Sequence, residues 1–278
     1  MLVSLLPAAC EFGTATAPRV KVATNLGGQS SNAPGAGGGA GGTGDGAGTT
    51  TIAVPPPRRP GADVILAFPD VSRSAVPDRR AMQADFIDDV VPEASSRRAE
   101  LVIVPLGSEG LTGSVASGVA DFSALSGLDP DSAASLRRRL DQTSVDAFEA
   151  AFAGPPTDGS DPLGALYMVA ELRVEPLFTK SKFLVAELSD GVEDISSPSC
   201  DFGLVPLTDA SIPTVIGNCE QGEPLNLSGV QVWFLGLGLD LSGQTSTIQA
   251  LQIRKLWLQI VSQAGGTVTR ADTGAGAA

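Results

Sequence analysis

The chain contains no histidine, which removes the commonest general base and the commonest transition-metal ligand together. Ser-His-Asp and Cys-His catalysis are excluded on that ground, and a zinc enzyme is disfavoured. Positive charge is also scarce. With 18 basic against 31 acidic residues among 278, the formal charge is -13, so most of this surface repels a phosphate backbone and nucleic acid is not an expected partner. No segment reaches the roughly 18 continuous apolar residues of a membrane-spanning helix. What the sequence holds in abundance is oxygen, from Asp, Glu and Ser, the donor set preferred by hard cations such as magnesium and calcium. Its hydrophobic share of 42% supports one well-buried core with room for an unstructured segment besides.

Cysteine is nearly absent. Of the three present, Cys200 and Cys219 fall in one loop-like stretch, which reads as a disulfide plus one odd thiol, Cys10. A loop of about 20 residues closed in this way contributes roughly 3 kcal/mol in the chain-entropy model. The odd cysteine follows Met1-Leu-Val-Ser-Leu-Leu-Pro-Ala-Ala, a short apolar run ending in small residues that resembles the tail of a bacterial lipoprotein signal peptide. That resemblance implies an acylated Cys10 and membrane attachment only through the N-terminus; the alternative is an incidental cysteine near a loose end.

Large apolar side chains are missing from residues 27 to 50, where Gly, Ala, Ser and Thr dominate. Such a stretch cannot offset its ordering entropy by burial, and Pro55-Pro-Pro-Arg-Arg-Pro60 stiffens its end. The expected division is therefore a lipidation region at 1–10, a disordered Gly/Pro-rich tether at 11–60, a folded domain at 61–272 and a frayed tail at 273–278.

Within the domain, short apolar runs alternate with helical periods, which predicts an α/β fold: a doubly wound, mainly parallel sheet flanked by helices. Strands are expected at 63–68, 100–106, 182–188, 230–236 and 267–270. Helices are expected at 75–91, with Met82, Phe86, Ile87 and Val90 on one face, and at 131–153, 163–174 and 248–262.

Ligands of parallel sheets gather at the carboxyl ends of the strands. After the first strand the chain reads Asp70-Val-Ser72-Arg-Ser74, a carboxylate and two hydroxyls at alternate positions that can turn three oxygens toward one point. Ser74 is equally a natural helix N-cap. A second strand ends in Glu187-Leu-Ser189-Asp190-Gly191, and Gly159-Ser160-Asp161-Pro-Leu-Gly-Ala-Leu places a hydroxyl at a helix entrance. Taken in this order, the three pieces resemble the von Willebrand factor A family and its metal-ion-dependent adhesion site. The Asp-x-Ser-x-Ser signature falls on Asp70, Ser72 and Ser74. The family's threonine falls on Ser160, which keeps the hydroxyl and loses a methyl, and its second aspartate falls on Asp190.

This resemblance implies a site for Mg2+ (or Mn2+ or Ca2+) coordinated by the hydroxyls of Ser72, Ser74 and Ser160, with Asp70 and Asp190 binding directly or through water. One exchangeable position would accept an acidic side chain of a partner protein. The expected function is adhesion or assembly without catalysis, outside the cytoplasm. The 192–228 excursion reads either as a rigidified insertion near the metal face that helps choose the partner or as a decorative loop stapled only for extracellular durability. Two other readings stand beside the expected function: a degenerate A-like domain that binds no metal and serves as a spacer, and a hydrolase using Glu109, Glu187 or Asp190.

Overall fold

The computed structural model describes residues 20–22, 50–52, 59, 61–107, 116–192, 207–219, 224–237 and 247–272. Cys10, Glu109, Cys200 and the 273–278 tail lie outside the described residues. So does most of the segment read as a tether, in which two short strands, β1 (Val20–Val22) and β2 (Thr50–Ile52), pair in parallel.

Six further strands form one sheet: β3 (Val64–Pro69), β4 (Glu100–Ile103), β5 (Gly118–Asp121), β6 (Phe183–Leu188), β7 (Val230–Leu235) and β8 (Thr267–Asp272). Their spatial order is β5-β4-β3-β6-β7-β8, all parallel except the β4–β5 edge pair. Counted from β3 this is the 3-2-1-4-5-6 order of a doubly wound α/β fold, in which the direction of winding reverses between the first and fourth strands. The reversal here lies between β3 and β6, whose six residues pair in register from Val64↔Phe183 to Pro69↔Leu188.

Both central strands are buried along their whole length, as their near-continuous apolar runs, broken only by Glu187, require once helices cover both faces. On one face Leu66, Phe68 and Val185 pack against α4 (Pro162–Leu172) and α6 (Thr247–Gln263), through Leu166, Val169, Ile253, Leu256 and Trp257. On the other, Ile65, Ala67, Leu184 and Ala186 meet α1 (Arg79–Asp85), α2 (Val91–Arg97) and α3 (Pro130–Ala151). There Phe86 and Phe148 stack with centroids 4.9 Å apart.

Three details depart from the sequence expectation. The helix that begins near Val76 does not stop before Pro92; it passes through a π-turn at Phe86–Val90 and continues to Arg97. Pro92 lacks an N–H for the α-helical ladder, and the wide turn that precedes it accommodates the change of pairing. The extra residue in that turn also rotates the face, so Met82, Phe86 and Val90 are buried while Ile87 is exposed. Between residues 192 and 228, expected to be loop, lies α5 (Ile212–Cys219), anchored by buried Ile212 and Ile216. Finally, β5 is an added antiparallel edge strand.

Candidate functional site

The carboxyl end of β3 is where the winding reverses, and the chain there is held from both sides. Asp70 bridges to Leu106 and Ser72 to Thr157, with Arg73 N donating to Thr157 O at 2.7 Å and Thr157 N to Val71 O at 3.2 Å. The second bridge draws the connection between α3 and α4 across the end of β3, and Ser160 follows three residues later. At Gly107 the backbone passes so close that a Cβ would lie 2.8 Å from Thr157 Cγ2.

Asp70 sits at the centre of this junction and is 1% exposed. Its Oδ1 accepts from Ser72 N at 2.8 Å and its Oδ2 from the Ser189 hydroxyl at 2.8 Å. The Ser72 and Ser160 side chains are also within hydrogen-bonding reach of the carboxylate. Ser72 Oγ and Ser74 Oγ are 3.0 Å apart, and the Ser160 hydroxyl donates to Val192 O at 3.2 Å. Burial raises the Asp70 carboxyl above its ordinary value, and the hydrogen bonds from Ser72, Ser189 and Ser160 oppose that rise.

Four of the five expected ligands, Asp70, Ser72, Ser74 and Ser160, are thus brought together by hydrogen bonds. Asp190 closes the neighbouring strand end one residue beyond Ser189, and its Oδ1 accepts from Val192 N at 2.8 Å. It also lines a cavity of about 10 Å3 with Asp78, Asp85 and Ser189, room for about one water-sized particle. Gly191 makes the turn possible: its φ is +74°, and a Cβ there would lie 2.4 Å from Leu237 Cδ2 and 2.9 Å from Trp257 Nε1. The Trp257 indole donates to Gly191 O at 2.8 Å, which ties the turn to the core under α6.

Sequence reasoning passed over Ser189, which touches Asp70 directly; the hydroxyl preceding Asp-Gly was the signal. It also treated Glu187 only as a possible acid of a hydrolase. In the fold Glu187 is 1% exposed, neither of its oxygens has a hydrogen-bond partner among the described residues, and burial, then Asp161, then Asp70, push its carboxyl well above the ordinary range. Asp161 itself caps α4, accepting from Gly164 N at 2.6 Å. Cys219, at the end of α5, is disulfide-bonded. Arg73, beside the site, pairs with Asp158 at 2.9 Å where both side chains are exposed.

Among the described residues no three acidic or thiol side chains converge as a metal cluster, so a cation here would depend on hydroxyls as well as carboxylates. Nor is any helix among them long and apolar enough to cross a membrane.

No family model and no curated sequence matches the chain. Among solved structures it is similar to the pilus adhesin SpaC from Lactobacillus rhamnosus GG in its open conformation, with 16% identity and a TM-score of 0.42 over 77% of this chain and 28% of that one. A second crystal form of SpaC aligns at 16% identity and a TM-score of 0.39, over 79% of this chain and 29% of that one. Proximal thread matrix protein 1 from the mussel byssus aligns at 14% identity and a TM-score of 0.37, over 76% of this chain and 44% of that one. The chain therefore spans less than half the length of each of these structures.

Proposed function

We propose that the chain is a von Willebrand factor A-like binding module that holds one divalent cation, Mg2+ or a close substitute, and uses it to engage a carboxylate of a partner protein, without catalysing a reaction. The observation that carries this reading is the gathering of Asp70, Ser72, Ser74 and Ser160 at the point where the sheet's winding reverses, the place where α/β sheets take ligands.

The donor set suits the ion. Magnesium holds oxygens at 2.0–2.1 Å in an octahedron, so neighbouring ligand oxygens lie about 3.0 Å apart, the separation found between Ser72 Oγ and Ser74 Oγ. Among the described residues Asp70 is held by hydroxyl and backbone donors alone, and a cation beside it would favour its charged form where burial disfavours it. Asp70, Ser72, Ser74, Ser160 and Asp190 would hold the ion, which supplies an electrophilic position for an incoming carboxylate. Placement outside the cytoplasm, through a lipidated Cys10, belongs to the same proposal.

A second reading is a metal-free spacer or assembly subunit, favoured by the same hydrogen bonds, because the site's oxygens already satisfy one another. Titration separates the two. Chelator-treated wild type should gain RT ln(1 + [L]/Kd) in stability, about 2.7 kcal/mol at a hundredfold excess of Mg2+ or Mn2+ over the dissociation constant, while Asp70→Ala should gain nothing. Identical responses from the two proteins would establish the spacer reading, as would a pull-down of partners unaffected by chelator.

A further inference from the structure

Glu187 has a place in the fold that packing alone does not explain. It interrupts the buried apolar run of β6, where it pairs with Phe68 of β3, two residues before Asp70. Strand alternation puts it on the sheet face of Phe183 and Val185, the face covered by α4. The cap of that helix, Asp161, immediately follows Ser160. Among the described residues, the charged groups that bear on Glu187 are Asp161 and Asp70, both acidic, and its two oxygens accept no hydrogen bond from any of them. A carboxylate buried in this way is strongly disfavoured when ionised and unpaired. A well-packed leucine would fill the same place without that cost.

We propose that Glu187 is a further member of the cation site, a carboxylate that meets the ion from beneath, directly or through one water, between Asp70 and the entrance of α4. This rests on the cation-site reading above. The ion would supply the positive charge that, among the described residues, no side chain facing Glu187 provides, and Glu187 in turn adds a carboxylate on the Asp70 side of the site. The metal-free protein is left with an orphaned acid, so the cost of burying Glu187 is offset only when the cation is present.

The test is calorimetric titration of Mg2+, Mn2+ and Ca2+ into the chelator-treated full chain as wild type, Glu187→Gln, Glu187→Leu, Asp70→Ala and Asp158→Asn, with metal-free melting of each. Glu187→Gln and Glu187→Leu should bind the preferred cation at least tenfold more weakly than wild type while melting, metal-free, at the same temperature or higher. Asp158→Asn removes an exposed carboxylate near the site and should leave the affinity unchanged. Wild-type affinity in Glu187→Gln, with binding lost in Asp70→Ala, overturns the role of Glu187 and leaves the five-residue site standing. The absence of any cation binding to wild type overturns both. An equal loss in Asp158→Asn reduces the effect to general surface charge and also overturns the proposal.

Discussion

The Ser189 hydroxyl donates to Asp70 Oδ2 across 2.8 Å, joining the carboxyl ends of β6 and β3 by a contact between two buried side chains. The same hydroxyl accepts from Gly191 N at 3.1 Å, so one oxygen links the carboxylate to the turn that carries Asp190. Ser189→Ala leaves a buried carboxylate oxygen short of its donor, a loss of about 1–3 kcal/mol. Urea unfolding in chelator should show that loss. A stability within a few tenths of a kcal/mol of wild type would mean that water or another hydroxyl replaces Ser189.

Gly191→Ala combines two penalties. The left-handed backbone disfavours any Cβ by about 1–2 kcal/mol, and the new methyl would overlap Leu237 and the Trp257 indole, which costs about 1–3 kcal/mol more where the core cannot shift. The expected result is a lower melting temperature together with weaker cation binding, because the turn that presents Asp190 must move. Unchanged melting would show that the loop relaxes at little cost.

Ser160 distinguishes a ligand hydroxyl from a structural one. Ser160→Thr restores the residue that the resembled family carries and keeps the oxygen, so cation affinity should stay within a few-fold of wild type. Ser160→Ala removes the oxygen, and the affinity should fall at least tenfold. Equal affinity in the two variants would place Ser160 outside the coordination shell.

Much of this architecture is legible in the sequence because its central strands are covered on both faces. Val64-Ile-Leu-Ala-Phe and Phe183-Leu-Val-Ala read as strands without knowledge of their neighbours, and Ile253, Leu256, Trp257 and Ile260 mark the inner face of α6 by spacing alone. The elements that escaped are those whose signal is tertiary. β5 has four residues of which only Ala120 is fully buried, so no run betrays it. α5 has eight residues with Pro213 in its first turn, and two isoleucines hold it. The site shows the same division. Asp70, Ser72 and Ser74 are adjacent in sequence and announce themselves, whereas Ser189 and Glu187 act only after β3 and β6 become neighbours. The long helical period through Phe86 hid the π-turn, since a one-residue slip of register leaves the composition unaltered.

The pH dependence of the metal-free protein follows from the direction in which burial moves Glu187. Its folded-state value lies well above the ordinary 4.5, with burial the largest cause and Asp161 and Asp70 adding to it. Between 4.5 and the raised folded value the unfolded chain has released this proton and the folded chain retains it. The folded state therefore binds more protons, and stability falls as pH rises through that window. Asp70, raised from 3.8 by burial, contributes with the same sign. Phe68 and Phe234, which flank Glu187 on the neighbouring strands, bring no charge to oppose it. Chelator-treated wild type should accordingly melt at a higher temperature at pH 5.5 than at pH 7.5, and Glu187→Gln should show a smaller difference. Saturating cation reverses the trend, because ligand carboxylates must be deprotonated to bind metal and affinity rises with pH. Equal pH slopes for metal-free wild type and Glu187→Gln would show that Glu187 does not hold its proton in the folded protein, and that solvent reaches a carboxylate which is otherwise enclosed.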